Sequence, residues 1–128
     1  MRTRFLFPAL LIGLVACSSS PDETVPPSAD APSADAITVS VADFMIDPSE
    51  LEASGPTVSF EVINDGPTPH NLTVRNDADE IVMATADLSV GESETVSAEL
   101  EPGTYTIFCS LAGHESLGMS GTLTVTGS

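Results

Sequence analysis

The chain has 128 residues, with nineteen acidic side chains against three basic ones and a formal charge of −16. Arg2 and Arg4 lie in the first four residues, so removal of the segment ending at Ala16 leaves Arg75 as the sole basic side chain and a net charge of −18. This balance excludes nucleic acid as a partner, because phosphate binding needs clustered Lys and Arg. Anionic lipid would repel such a surface, whereas a basic protein would suit it. With no Trp, one Tyr and five Phe, the core must rest on Val, Ile and Leu. Two His and two Cys exclude a many-imidazole mechanism and a disulfide-rich scaffold.

Residues 1–16 have the parts of an export signal: a basic start, an apolar run from Phe5 to Leu14, and small residues before a cut. The run is well short of the ~20 residues that span a bilayer. Leu14-Val15-Ala16-Cys17 resembles the bacterial lipobox, which implies cleavage before Cys17 and lipidation of its sulfur. An ordinary signal peptide with an incidental Cys is the alternative. Several acyl chains on one residue hold a protein at a membrane far better than one. Residues 17–36 then form a tether rich in Ser, Pro, Ala and Asp, in which Pro-Ser-Ala-Asp-Ala occurs twice, at 27–31 and 32–36. Such a segment has too little apolar surface to offset its ordering entropy. It would reach roughly 60 Å extended and about 25 Å as a coil.

From residue 37 to 128 the pattern is that of strands. Ile37, Val39 and Val41 alternate with polar or small residues, as do Val58, Phe60 and Val62 before the turn Asn64-Asp65-Gly66-Pro67. Leu72 and Val74 follow, then a turn at residues 76–79. Further strands are expected at 80–84, 93–100, 104–109 and 122–125, and no window carries a helical stripe. Seven to eight short strands in this length predict an all-β, antiparallel β-sandwich.

Once Cys17 is lipidated, Cys109 has no disulfide partner, and an unpaired thiol outside the cell must be buried or ligated. His114 stands five residues after Cys109, and Met119 five residues after His114. The other imidazole, His70, opens a strand where Cys109 closes one, so antiparallel neighbours would bring them together. Two imidazoles, a thiolate and a thioether form the ligand set of a blue-copper site, with Met as the weak axial ligand. Taken singly, each residue has an ordinary explanation: a solvated His, a small buried Cys, a core Met. Met45 and Met83 are expected in the core. Chance agreement of all four is far rarer.

The run from Thr104 to Val125, with Cys109-Ser-Leu-Ala-Gly-His114-Glu-Ser-Leu-Gly-Met119 at its centre, resembles the C-terminal signature of the plastocyanin/azurin cupredoxin family. Asn64-Asp-Gly-Pro-Thr-Pro-His70-Asn71 is similar to the family's other ligand segment, and the likeness covers about residues 37–126. The four-residue gaps on both sides of His114 look more like the rusticyanin and auracyanin members than plant plastocyanin. The resemblance implies a Greek-key, cupredoxin-like sandwich holding one copper ion, with His70, Cys109 and His114 in a plane and Met119 axial. It implies that Asn71 ties the two ligand loops together near the Cys109 sulfur. It also implies an apolar docking patch around His114, for which Leu111, Ala112, Leu117, Pro67 and Pro69 are the candidates; the alternative is that these are ordinary loop residues. Ala112 departs from the family, which often has Pro at this place, and the departure bears on loop rigidity and reduction potential.

Three functions fit: a membrane-tethered one-electron carrier, a copper store or delivery protein, or a metal-free sandwich for adhesion or assembly. An oxidase or nitrite reductase needs further His residues that this chain lacks, so it is not expected to be an enzyme. The expected carrier is a monomer, lipid-anchored on the extracytoplasmic face of a bacterial or archaeal membrane, in the periplasm or at the cell surface. It touches the membrane through the anchor alone. Its partner would be a basic, cytochrome-like redox protein or a membrane electron-transfer complex. The charge also fits adaptation to high salt.

Overall fold

A computed structural model describes residues 35–127. The proposed signal segment 1–16, the lipidation site Cys17 and nearly all of the tether lie outside the described residues. Among the described residues, nine strands form two stacked sheets: β1 (Ile37–Ala42), β2 (Met45–Asp47), β3 (Glu50–Ser54), β4 (Thr57–Asn64), β5 (Thr73–Arg75), β6 (Ile81–Ala84), β7 (Ser93–Glu99), β8 (Gly103–Phe108) and β9 (Ser120–Thr126). One sheet has the order β2-β1-β4-β7 and the other β3-β9-β8-β5-β6.

The alternation read along the chain decides which face each strand buries. Val39 and Val41 of β1, and Val58, Phe60 and Val62 of β4, point into the space between the sheets. Leu72, just before β5, and Val74, Ile107, Leu123 and Val125 of the opposite sheet meet them, and all belong to one core. Each such side chain contributes about 1.5–3 kcal/mol when it leaves water. Tyr105 closes the base of β8 by donating its hydroxyl to the Glu101 carbonyl at 2.7 Å.

Seven strands stand where the sequence predicts them, to within a residue or two. β2 and β3 are additional, giving nine strands instead of seven to eight. Each of these two buries one apolar side chain, Ile46 or Leu51, among exposed neighbours. Two pairings, β1 with β4 and β3 with β9, are parallel, while the others are antiparallel. Met83 is in the core as expected, but Met45 is 53% exposed. The reason is register: β2 has three residues, and its inward position belongs to Ile46.

Gly121 shows how closely β9 approaches the segment that leads into β3. A Cβ there would overlap the Ser49 carbonyl oxygen, the same oxygen that accepts the Thr122 N–H at 2.7 Å. Only a residue without a side chain fits.

Candidate metal centre

β8 and β9 are antiparallel neighbours in register from Gly103↔Val125 to Phe108↔Ser120. Residues 109–119 therefore form a loop that leaves and re-enters the sheet at one end. Cys109 and Met119 are its two feet, joined by the Cys109 N–H bond to the Met119 carbonyl at 3.1 Å. Both are fully buried. His114 lies at the crest and is half-buried; its carbonyl accepts the N–H groups of Leu117 and Met119 across a single 3-10 turn, Glu115–Leu117.

β5 lies beside β8, antiparallel, with Thr73 opposite Phe108. This neighbour relation brings the His70 and Cys109 segments together. His70 itself precedes β5 and is held in a lone two-bond bridge to Leu88. The loop that delivers it is shaped by buried Asn64. The Asn64 amide donates to the Thr68 and Leu88 carbonyls at 2.8 and 2.9 Å, and its Oδ1 accepts the Gly66 N–H at 2.9 Å.

Three donor atoms converge. The Nδ1 atoms of His70 and His114 are 3.2 Å apart, and the Cys109 sulfur is 3.5 Å from His114 Nδ1. All three ligating groups lie within 4.8 Å of one another. Bonds of ~2.0 Å to nitrogen and ~2.3 Å to sulfur, opened to near-tetrahedral or trigonal angles, separate donor atoms by about 3.2–3.6 Å. The two spacings at His114 Nδ1 match those of donors sharing a single small ion. Two nitrogens, a thiolate and a buried thioether at Met119 form a donor set suited to copper.

The far side of each ligand is also held. Asn71, 5% exposed, accepts the Ser110 N–H at 2.8 Å and donates to Ser110 Oγ at 2.9 Å and to Asp87 Oδ1 at 2.7 Å. It joins the His70 segment to the residue after Cys109. His70 Nε2 donates to Asp43 Oδ1 at 2.9 Å, which leaves Nδ1, the nitrogen facing His114, with a free lone pair for a metal. The same carboxylate oxygen accepts the Thr68 hydroxyl at 2.6 Å. This hydroxyl, and then the His70 bond, hold Asp43 below the usual carboxylate range.

Arg75 reaches the crest of the loop from β5. It makes a forked pair with Glu115, at 2.6 and 3.2 Å, while its guanidinium lies 4.5 Å over the Phe108 ring. Glu115 raises the affinity of Arg75 for its proton. Of the patch residues, Pro67, Pro69, Ala112 and Leu117 are exposed and Leu111 is partly buried against the core. Phe44, 47% exposed, sets its ring edge-on to His114 with centroids 5.6 Å apart. Sequence reasoning missed Asp43, Phe44 and the Arg75–Glu115 pair. No local pattern marks them, because each acts across more than 25 residues of chain.

Solved structures share the sandwich. Dithionite-reduced auracyanin from Roseiflexus castenholzii aligns with a TM-score of 0.65 at 22% identity, covering 72% of this chain and 97% of that one. Auracyanin B gives 0.66 at 24% identity over 73% and 89%. An azurin, Az-iso2, from Methylomonas sp. strain J gives 0.65 at 19% identity over 73% and 99%. At these identities the likeness speaks for the fold. No curated protein sequence matches the chain. The family model of the cupredoxin-like domain matches residues 8–125, almost the whole length, and this chain belongs to the cupredoxin-like family.

Proposed function

We propose that the protein is a one-electron carrier in which His70, Cys109, His114 and Met119 hold a single copper ion. The convergence of three donor atoms at one end of a cupredoxin-like sandwich carries this reading. When bound, copper supplies a Cu(I)/Cu(II) couple at a site whose donors need little rearrangement on electron transfer. The chain supplies the frame. Buried His70, Cys109 and Met119 are fixed by packing, by the Leu88 bridge and by the Cys109–Met119 backbone bond. Asn71 keeps the two ligand segments at a constant separation. His114, the one half-buried ligand, offers the shortest route for an electron to the surface. Exposed Pro67, Pro69, Ala112 and Leu117, with partly buried Leu111, would surround that route as an apolar docking face.

A store or delivery protein must give up its metal, and full burial of three of the four ligands favours retention instead. Both of the chain's histidines are assigned to this one centre, so the reading gives the protein no further copper site at which to act as an oxidase or nitrite reductase. The acidic surface favours a basic redox partner, and the Cys17 lipobox favours a lipid anchor outside the cell membrane. The kinetic test mixes copper-loaded protein with a basic cytochrome at increasing salt. Fast reduction that slows steeply with ionic strength, with copper retained against a chelator, is expected. Slow reduction with rapid loss of copper to the chelator would assign the protein to metal delivery. Replacement of Cys17 by Ser should release the exported protein from the membrane fraction.

A further inference from the structure

The β1–β2 hairpin turns through two residues, Asp43 and Phe44, between the pair Ala42↔Met45. Each lies against a different imidazole of the metal centre. Asp43 Oδ1 is 2.9 Å from His70 Nε2, the ring nitrogen other than the one that faces His114. The Phe44 ring meets His114 edge-on, at an interplanar angle of 69°.

Phe44 holds φ at 60°, a conformation suited to Gly or Asn and costly for a bulky side chain. Its ring is half exposed, so core packing does not explain why the turn carries a phenyl group rather than a hydrogen. The loop carrying His70 sits flush on this turn. A Cβ on Gly66 would come 2.9 Å from the Ala42 Cα, 3.1 Å from His70 Nε2 and 3.2 Å from the Asp43 nitrogen. Asp65 adds two bonds to β1 beside the turn: its N–H donates to the Val41 carbonyl at 3.0 Å, and its carboxylate accepts the Ser40 hydroxyl at 2.6 Å.

We infer that the Asp43–Phe44 turn is a third positioning segment for the metal centre: Asp43 fixes the His70 tautomer and lowers the reduction potential, and Phe44 seats the His114 ring. The potential part rests on the copper-carrier reading; the tautomer part does not. A carboxylate on the outer nitrogen of a ligand imidazole raises the basicity of the inner nitrogen and brings a full negative charge to the second layer. That charge favours the more highly charged oxidised ion over the reduced one. A neutral acceptor in the same place would keep the tautomer and lose the charge, so the two contributions are separable.

The test uses the full chain and its Asp43→Asn, Asp43→Ala, Asp43→Glu and Phe44→Gly variants. Nitrogen NMR of the metal-free proteins, above the ordinary imidazole range, reads the His70 tautomer. Nε2–H is expected in wild type and Asp43→Asn, and a mixture in Asp43→Ala. After loading with Cu(II), Asp43→Asn should keep the blue band while its Cu(II)-over-Cu(I) preference falls on the order of tenfold, a rise of ~59 mV for one electron. Asp43→Glu should restore part of the difference. Phe44→Gly should shift the His114 ring resonances and the copper hyperfine splitting. A blue wild type with potential and tautomer unchanged in every Asp43 variant would overturn the inference and leave the carrier reading standing. A wild type that takes up no copper in a blue form would overturn the carrier reading, and the potential role with it. The tautomer in the metal-free Asp43→Ala protein would then still decide the positioning role.

Discussion

Asn71→Ala removes a side chain that bonds both ligand segments. Its Oδ1 accepts the Ser110 N–H, and its amide nitrogen donates to Ser110 Oγ and the Asp87 carboxylate, in a position 5% exposed. A neutral bond of this kind is worth about 1 kcal/mol net, and one to a charged acceptor about 1.5 kcal/mol or more. The three bonds together come to about 3.5 kcal/mol, and water recovers part of this, so the truncation should destabilise the metal-free domain by roughly 2–3 kcal/mol. For a domain of this size that is a fall in Tm of about 10–20 °C. The assay is urea unfolding of the metal-free protein, in which the midpoint should fall at constant slope. Asn71→Asp keeps the acceptor but sets one carboxylate against another, so it should cost as much; adding Asp87→Asn should recover part of the loss. A cost below about 1 kcal/mol for Asn71→Ala would refute the reasoning, since water would then replace these bonds freely.

Three further outcomes follow from individual contacts. Gly121→Ala places a methyl on the Ser49 carbonyl oxygen and should destabilise by about 3 kcal/mol, read in the same unfolding assay. Arg75→Met frees Glu115 from a pair that is partly exposed, so stability should fall by only about 1 kcal/mol. Amide exchange in residues 110–118 should nevertheless quicken, because among the described residues Arg75 is the only side chain outside the loop that hydrogen-bonds Glu115. Met119→Leu removes a thioether from a fully buried position and should keep copper while raising the potential, read by voltammetry.

Strand positions were legible where one face is buried along a run of several residues, as in β1 and β4. β2 and β3 were not, because each fully buries a single apolar residue, Ile46 or Leu51, with only the small Ala53 of β3 packing partly beside it. The alternation also carries no direction, so the parallel pairing of β1 with β4 is invisible to it. The ligand set was legible for a different reason: His, Cys and Met are scarce here, and three of them fall at fixed spacing in one loop. The groups behind the ligands have the opposite property. Asp43 is one of nineteen acidic residues, and nothing in its neighbourhood distinguishes it until the hairpin turn carries it to His70. Phe44 and Met45 look like core residues in sequence, yet a two-residue turn and a three-residue strand leave both exposed.

The central claim is that His70, Cys109, His114 and Met119 form one copper site. Titration of the reduced, metal-free protein with Cu(II), followed by visible and paramagnetic resonance spectra, tests it most directly. At one equivalent the account predicts an intense blue band with narrow copper hyperfine splitting, both lost in Cys109→Ser. A colourless protein that binds copper weakly through surface carboxylates, or a Cys109→Ser variant as blue as wild type, would contradict it.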